Sequence, residues 1–90
     1  MDDGGNKDKL LIGKVGNYFS RLNVAAIKLT ESLRVGDTIS IEGATTNFEQ
    51  TVESMQIQNE SIEEANTGDE IGIKVEDKVR EGDRVYLIKK

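Results

Sequence analysis

Val35-Gly36-Asp37-Thr38-Ile39-Ser40-Ile41, Thr67-Gly68-Asp69-Glu70-Ile71-Gly72-Ile73 and Glu81-Gly82-Asp83-Arg84-Val85-Tyr86-Leu87 carry one local instruction three times. Glycine supplies the positive φ that a sharp reversal needs, aspartate bonds to nearby backbone N–H groups, and apolar residues at alternate positions then begin a strand. Gly36-Asp37, Gly68-Asp69 and Gly82-Asp83 are therefore read as structural turns. The glycines are 32 and 14 residues apart, too uneven for a solenoid repeat.

The segments around these turns extend the pattern. Val24 to Leu29 alternates with Ala25, Ile27 and Leu29 inward; Thr38 to Glu42 does so with Ile39 and Ile41. Ile71, Ile73 and Val75 form the inward side of another strand, and Arg84 to Ile88 places Val85 and Leu87 on one side. Leu10 to Val15 reads as the first strand, with Gly13 and Gly16 marking curvature or close backbone approach. Tyr18 to Asn23 reads as a connection. Residues 31 to 33 have room for a helical turn but not a helix.

Phe48 to Gln58 reads as one longer strand, although Val52 is out of phase with Met55 and Ile57. A β-bulge near Glu53-Ser54 brings both sets to the core; the alternative leaves Val52 outside. Phe48 itself is read as core. Asn59 to Thr67 is short and reads as a loop anchored by Ile62 and Ala65. Five or six short strands with little helix predict an all-β fold, a small closed barrel, because closure removes the exposed edges of a sheet this size.

Ninety residues suit one domain, in which folding buries roughly 60% of the unfolded surface. Residues 1–9 are polar and read as a disordered lead, with the domain at 10–90. Cysteine and histidine are both absent, which removes disulfides, thiolate sites and imidazole ligands. No serine has a histidine to activate it, and no phosphate-cradling glycine loop of the Gly-x-x-x-x-Gly-Lys-Ser/Thr kind occurs. The 17 carboxylates read as turn residues or solvated charges, since acid–base work needs an enclosed site. The expectation is a binding module and not an enzyme, with no catalytic residue, cofactor or metal. The apolar run Leu10-Leu11-Ile12 is far short of a bilayer span and nothing before it resembles a signal peptide, so no membrane role and a cytoplasmic location are expected.

The net charge of −5 opposes unaided tight binding to nucleic acid, and no DNA partner is expected. Its distribution says more. Residues 1–34 hold six basic and four acidic side chains, residues 35–73 none and nine, and residues 74–90 six and four. If the first and last strands lie together, the two ends form a basic face opposite an acidic one. Tyr18, Phe19 and Arg21 suit stacking on a base or anchoring a partner, the alternative being that the aromatics plug a barrel end. Lys14, in the first strand, is the fourth candidate contact.

The stretches Leu33 to Gly43, Val52 to Met55, Glu64 to Ile73 and Val79 to Val85 together resemble the second domain of translational GTPases such as elongation factor Tu and initiation factor two. Through Gly13-Lys14-Val15-Gly16-Asn17-Tyr18-Phe19 and Phe48-Glu49-Gln50-Thr51-Val52-Glu53-Ser54-Met55, the chain looks more like a stand-alone version of the related C-terminal module of collagenase-like peptidase-family proteins. The resemblance implies a six-stranded Greek-key-like barrel of the translation-protein type. The Gly-Asp pairs match its strand-starting turns, and Val52 and Met55 match apolar barrel positions. None of these positions carries catalysis. It further implies a translation-associated or RNA-processing accessory role, contacting a protein or ribonucleoprotein partner. A protein-only adaptor is the alternative; direct RNA contact and oligomeric state stay open.

Overall fold

The computed structural model describes residues 8–89, with side chains from residue 9. The reading of residues 1–9 as a disordered lead falls on residues 1–7 outside the described range; Asp8 and Lys9 already belong to the first strand. Every element is a strand: β1 Asp8–Phe19, β2 Val24–Leu29, β3 Leu33–Arg34, β4 Thr38–Glu42, β5 Asn47–Thr51, β6 Met55–Ile57, β7 Glu60–Ile62, β8 Glu64–Ala65, β9 Glu70–Lys74 and β10 Arg84–Lys89. The fold is all-β, and residues 31–33 form no helical turn.

Eight strands make one antiparallel sheet in the order β5-β4-β10-β1-β2-β9-β6-β7, and β3 pairs with β8 separately. Strand pairing therefore leaves two ends, β5 and β7, where a closed six-stranded barrel would have none. The sheet is nevertheless strongly rolled, because β5 and β9, five places apart, are joined through one side chain. The Gln50 amide donates from Nε2 to the Lys74 carbonyl (2.8 Å) and its Oε1 accepts from the Glu76 N–H (2.8 Å). A buried glutamine thus stands where the peptide group of a neighbouring strand would be.

Inside the roll the period-two pattern does the packing. Ala25, Ile27 and Leu29 from β2, Ile39 and Ile41 from β4, Ile71 and Ile73 from β9 and Val85 from β10 are all at most 1% exposed. Burying a side chain of this size contributes about 2 kcal/mol. Val75 joins the core, while Leu87, Ile57, Ile62 and Phe48 are half-buried against it.

The Gly-Asp segments build three superimposable turns. At each, glycine has a positive φ (99°, 92° and 94° for Gly36, Gly68 and Gly82), while the residue before it does not, which is the type II pattern. The Asp N–H donates to the carbonyl three residues back, on Arg34, Asn66 or Arg80 (3.1, 3.0 and 3.0 Å). The Asp carboxylate accepts from the N–H of that same residue (3.0, 2.8 and 2.8 Å). Each turn also docks on one residue of another segment. Gly36 donates to Val52 O and Val52 donates to Asp37 O; Leu29 serves Gly68 and Asp69 alike, and Val15 serves Gly82 and Asp83, all at 2.7–2.9 Å. Val15, Leu29 and Val52 are each 1% exposed.

This docking settles Val52. It is buried, but through a break in pairing and not through a bulge in a continuous strand: β5 ends at Thr51, Val52 pairs with the Gly36 turn, and β6 begins at Met55. The loop expected at 59–67 contains β7 and β8 instead. Ala65 is fully buried, and Leu33 of β3, its partner, is too. Gln58 and Asn59, with φ of 51° and 69°, link β6 to β7 as a tight two-residue hairpin.

Candidate functional site

The connection expected from Tyr18 to Asn23 is shorter than the sequence indicates. Tyr18 and Phe19 lie in β1, opposite Ala25 and Val24, and only residues 20–23 turn, with Asn23 at φ 56°. Because successive strand residues face opposite ways, the two aromatics separate. Tyr18 is half-buried against the core, and Phe19 is 46% exposed on the outside. Arg21 and the 64%-exposed Leu22 sit at the hairpin tip beside Phe19.

Lys14 lies elsewhere on the outer surface of β1. It stands opposite Arg84 of β10 on one side and Lys28 of β2 on the other. Directly opposed residues in antiparallel strands share a face, so three exposed cations form a row roughly 10 Å across three strands. Like charges so placed destabilise a sheet. The row ends at Glu42, opposite Arg84, and Glu70, opposite Lys28. Among the described residues no ion pair joins Lys14 or Lys28 to a carboxylate. The first and last strands thus lie together, through the β1–β10 pairing, which is the condition for the expected basic face.

Lys9 shows the paired alternative. Its ammonium donates to Glu42 Oε2 (2.8 Å) and lies 5.3 Å from the centre of the Tyr86 ring, and the Ser40 hydroxyl donates to the same carboxylate oxygen (2.8 Å). The two hydrogen bonds, from Lys9 first, hold the Glu42 carboxyl below its ordinary pKa; the bond to Glu42 raises that of Lys9. Tyr86 therefore has Lys9 over its ring.

Between the cation row and the hairpin tip, outward positions on β1, β2 and β9 are small: Gly16, Ala26 and Gly72. An open groove of about 600 Å³ follows, lined by Phe19 and Leu22, by the amides of Asn17, Gln56, Gln58 and Asn59, and by the carboxylate of Glu70. A second open groove, about 530 Å³, begins at Gly16 and runs past Lys14 and Lys28 to Leu11. The sequence offers Lys14, Tyr18, Phe19 and Arg21 as candidate contacts, without Lys28, Leu22 or the amides, and of the four Tyr18 packs against the core. Their register across strands was the missing information. No cluster of three or more carboxylates suited to a metal ion occurs among the described residues.

No protein-family model matches the chain. It is 48% identical over 82 residues to an uncharacterised protease of Methanocaldococcus jannaschii, covering 90% of this chain and 20% of that protein. It is 38% identical over 89 residues to a collagenase of Porphyromonas gingivalis, covering 97% of this chain and 22% of the collagenase. The chain thus spans about a fifth of the length of these curated relatives. Among solved structures, the C-terminal domain of a Geobacillus thermoleovorans putative U32 peptidase superposes with a TM-score of 0.82 at 18% identity, covering 87% of this chain and 91% of that domain. These likenesses support the similarity to the collagenase-like C-terminal module; they lend none to identity with the second domain of translational GTPases. The chain has the fold of a U32 peptidase C-terminal domain, and its sequence is homologous to about a fifth of proteins named protease and collagenase.

Proposed function

We propose that this domain is a non-catalytic, cytoplasmic binding module that contacts an RNA–protein complex for proteins of the collagenase-like kind. The observation that carries the reading is the Arg84–Lys14–Lys28 row, three exposed cations held in cross-strand register. Their repulsion is relieved when an anionic partner neutralises them, and a polyphosphate chain does so along the whole row. The absence of catalysis belongs to the same proposal. The groove that gathers two carboxylates, Glu53 and Glu76 beside Lys74, leaves all three exposed, where water screens the charge that acid–base chemistry depends on.

A protein-only adaptor is the second reading, supported by the exposed apolar pair Phe19 and Leu22 and by the net charge of −5. Cross-linking in the native cell, followed by recovery of the chain and detection of attached nucleic acid, separates them. RNA recovered with the native chain and depleted with Lys28→Glu is the expected result. Partners that survive nuclease and are indifferent to Lys28→Glu would overturn the RNA reading and favour the adaptor.

A further inference from the structure

Resting on that reading, we infer that the outer face of β10, β1, β2 and β9 is a platform for single-stranded RNA, with phosphates along Arg84, Lys14 and Lys28 and bases directed toward Phe19. The strand register sets this polarity. Lys28 and Val24 lie in the same strand, four residues apart and on one face, about 13 Å of β2. Lys14 is opposite the first and Phe19 opposite the second. On β1 and β2 the charged row therefore runs parallel to the apolar pair Phe19 and Val24, and on β9 the two lines end at Glu70 and Lys74 respectively. Ala26, its neighbours Asn17 and Gly72, and Gly16 at the β1 irregularity lie between them.

Each part fits a different portion of a nucleotide. Ammonium and guanidinium groups neutralise phosphate. A half-exposed phenylalanine ring offers a stacking surface that every base can use, but only an unstacked base is available to it, which selects single strands over duplex. Gln56 brings a donor and an acceptor to the groove, and Asn17, whose Oδ1 accepts from the Tyr18 N–H (2.8 Å), brings its NH2 donors, the chemistry that base edges require. An acidic protein segment would satisfy the cations equally well, but it gives no role to the ring and amides together. Little in this arrangement distinguishes one base from another, so sequence preference is weak.

The test uses the 90-residue chain with a fluorescently labelled uridine dodecamer, a duplex RNA of the same length, and polyglutamate. The dodecamer binds with log affinity falling against log salt at a slope of about −2, as three phosphate contacts on a single strand require. Phe19→Ala weakens it roughly ten-fold at unchanged slope. Lys14→Ala with Lys28→Ala brings the slope to about −0.7. All the substituted side chains are exposed, and unchanged thermal melts confirm the fold.

If the dodecamer binds but Phe19→Ala has no effect, or duplex binds as tightly, the platform is wrong while the RNA reading survives. If the platform residues are inert and Lys78→Ala or Arg80→Ala abolishes binding, RNA contacts the open groove of about 420 Å³ that these two residues line with Asn47, Phe48 and Asp77, and again only the platform fails. If neither RNA binds and polyglutamate does, both fall.

Discussion

Val15 and Lys14 are neighbours in β1, yet they face different environments. Val15 points inward, and both its backbone groups are matched by the Gly82-Asp83 turn. Lys14 points outward between two other cations. One side of the strand pairs both backbone groups of the residue it buries at Val15; the other holds charge in an arrangement that lowers stability. The inner side explains why the domain folds, and the outer side is where a partner would gain the most by binding.

The strongest way to break this comparison is at the inner side's least conventional contact. Gln50→Leu keeps the volume but leaves the Lys74 carbonyl and Glu76 N–H without partners. A loss of about 3 kcal/mol in urea unfolding is expected. A loss below 1 kcal/mol would mean that water reaches both groups and that the roll does not depend on this side chain.

Next come Gly36→Ala, Gly68→Ala and Gly82→Ala. A methyl group at any of the three would meet nothing within 4 Å, so only the positive φ opposes it. Each change should cost about 1 kcal/mol, and the three values should agree. Disagreement by more than a factor of two would show that the turns are alike in geometry but not in energy.

The smallest effect has the opposite sign. Lys14→Glu sets a carboxylate between Lys28 and Arg84 and should raise stability by roughly 0.5 kcal/mol, measured by urea unfolding in low salt. A drop in stability would show that Lys14 already has a compensating interaction, and the contrast between the two sides of β1 would lose its basis.

The Gly-Asp turns were legible because glycine, aspartate and the alternating residues sit next to one another in sequence. Ile39, Ile41, Ile71 and Ile73 were legible for the same local reason. What the turns dock on was not, because Val15, Leu29 and Val52 are distant in sequence and carry no special signal. Tyr18 and Phe19 were misread as a connection because β1 has two irregularities, between Leu11 and Gly13 and between Val15 and Asn17, which upset a strict two-residue period. The Gln58-Asn59 turn escaped notice because it lacks the glycine that usually announces such hairpins. On the candidate surface, the aromatic and arginine beside the hairpin could be found from composition. The cation row could not, since its three members come from residues 14, 28 and 84.

The pairing of Asp8 with Lys89 has a mechanical consequence. Both ends of the described chain leave from one side of the same antiparallel pair. Tension applied between them would peel β1 from β10 one rung at a time instead of shearing many hydrogen bonds together. Pulled by these tethers, the domain should behave as a zipper with low rupture force, opening from the seam that holds its two ends side by side.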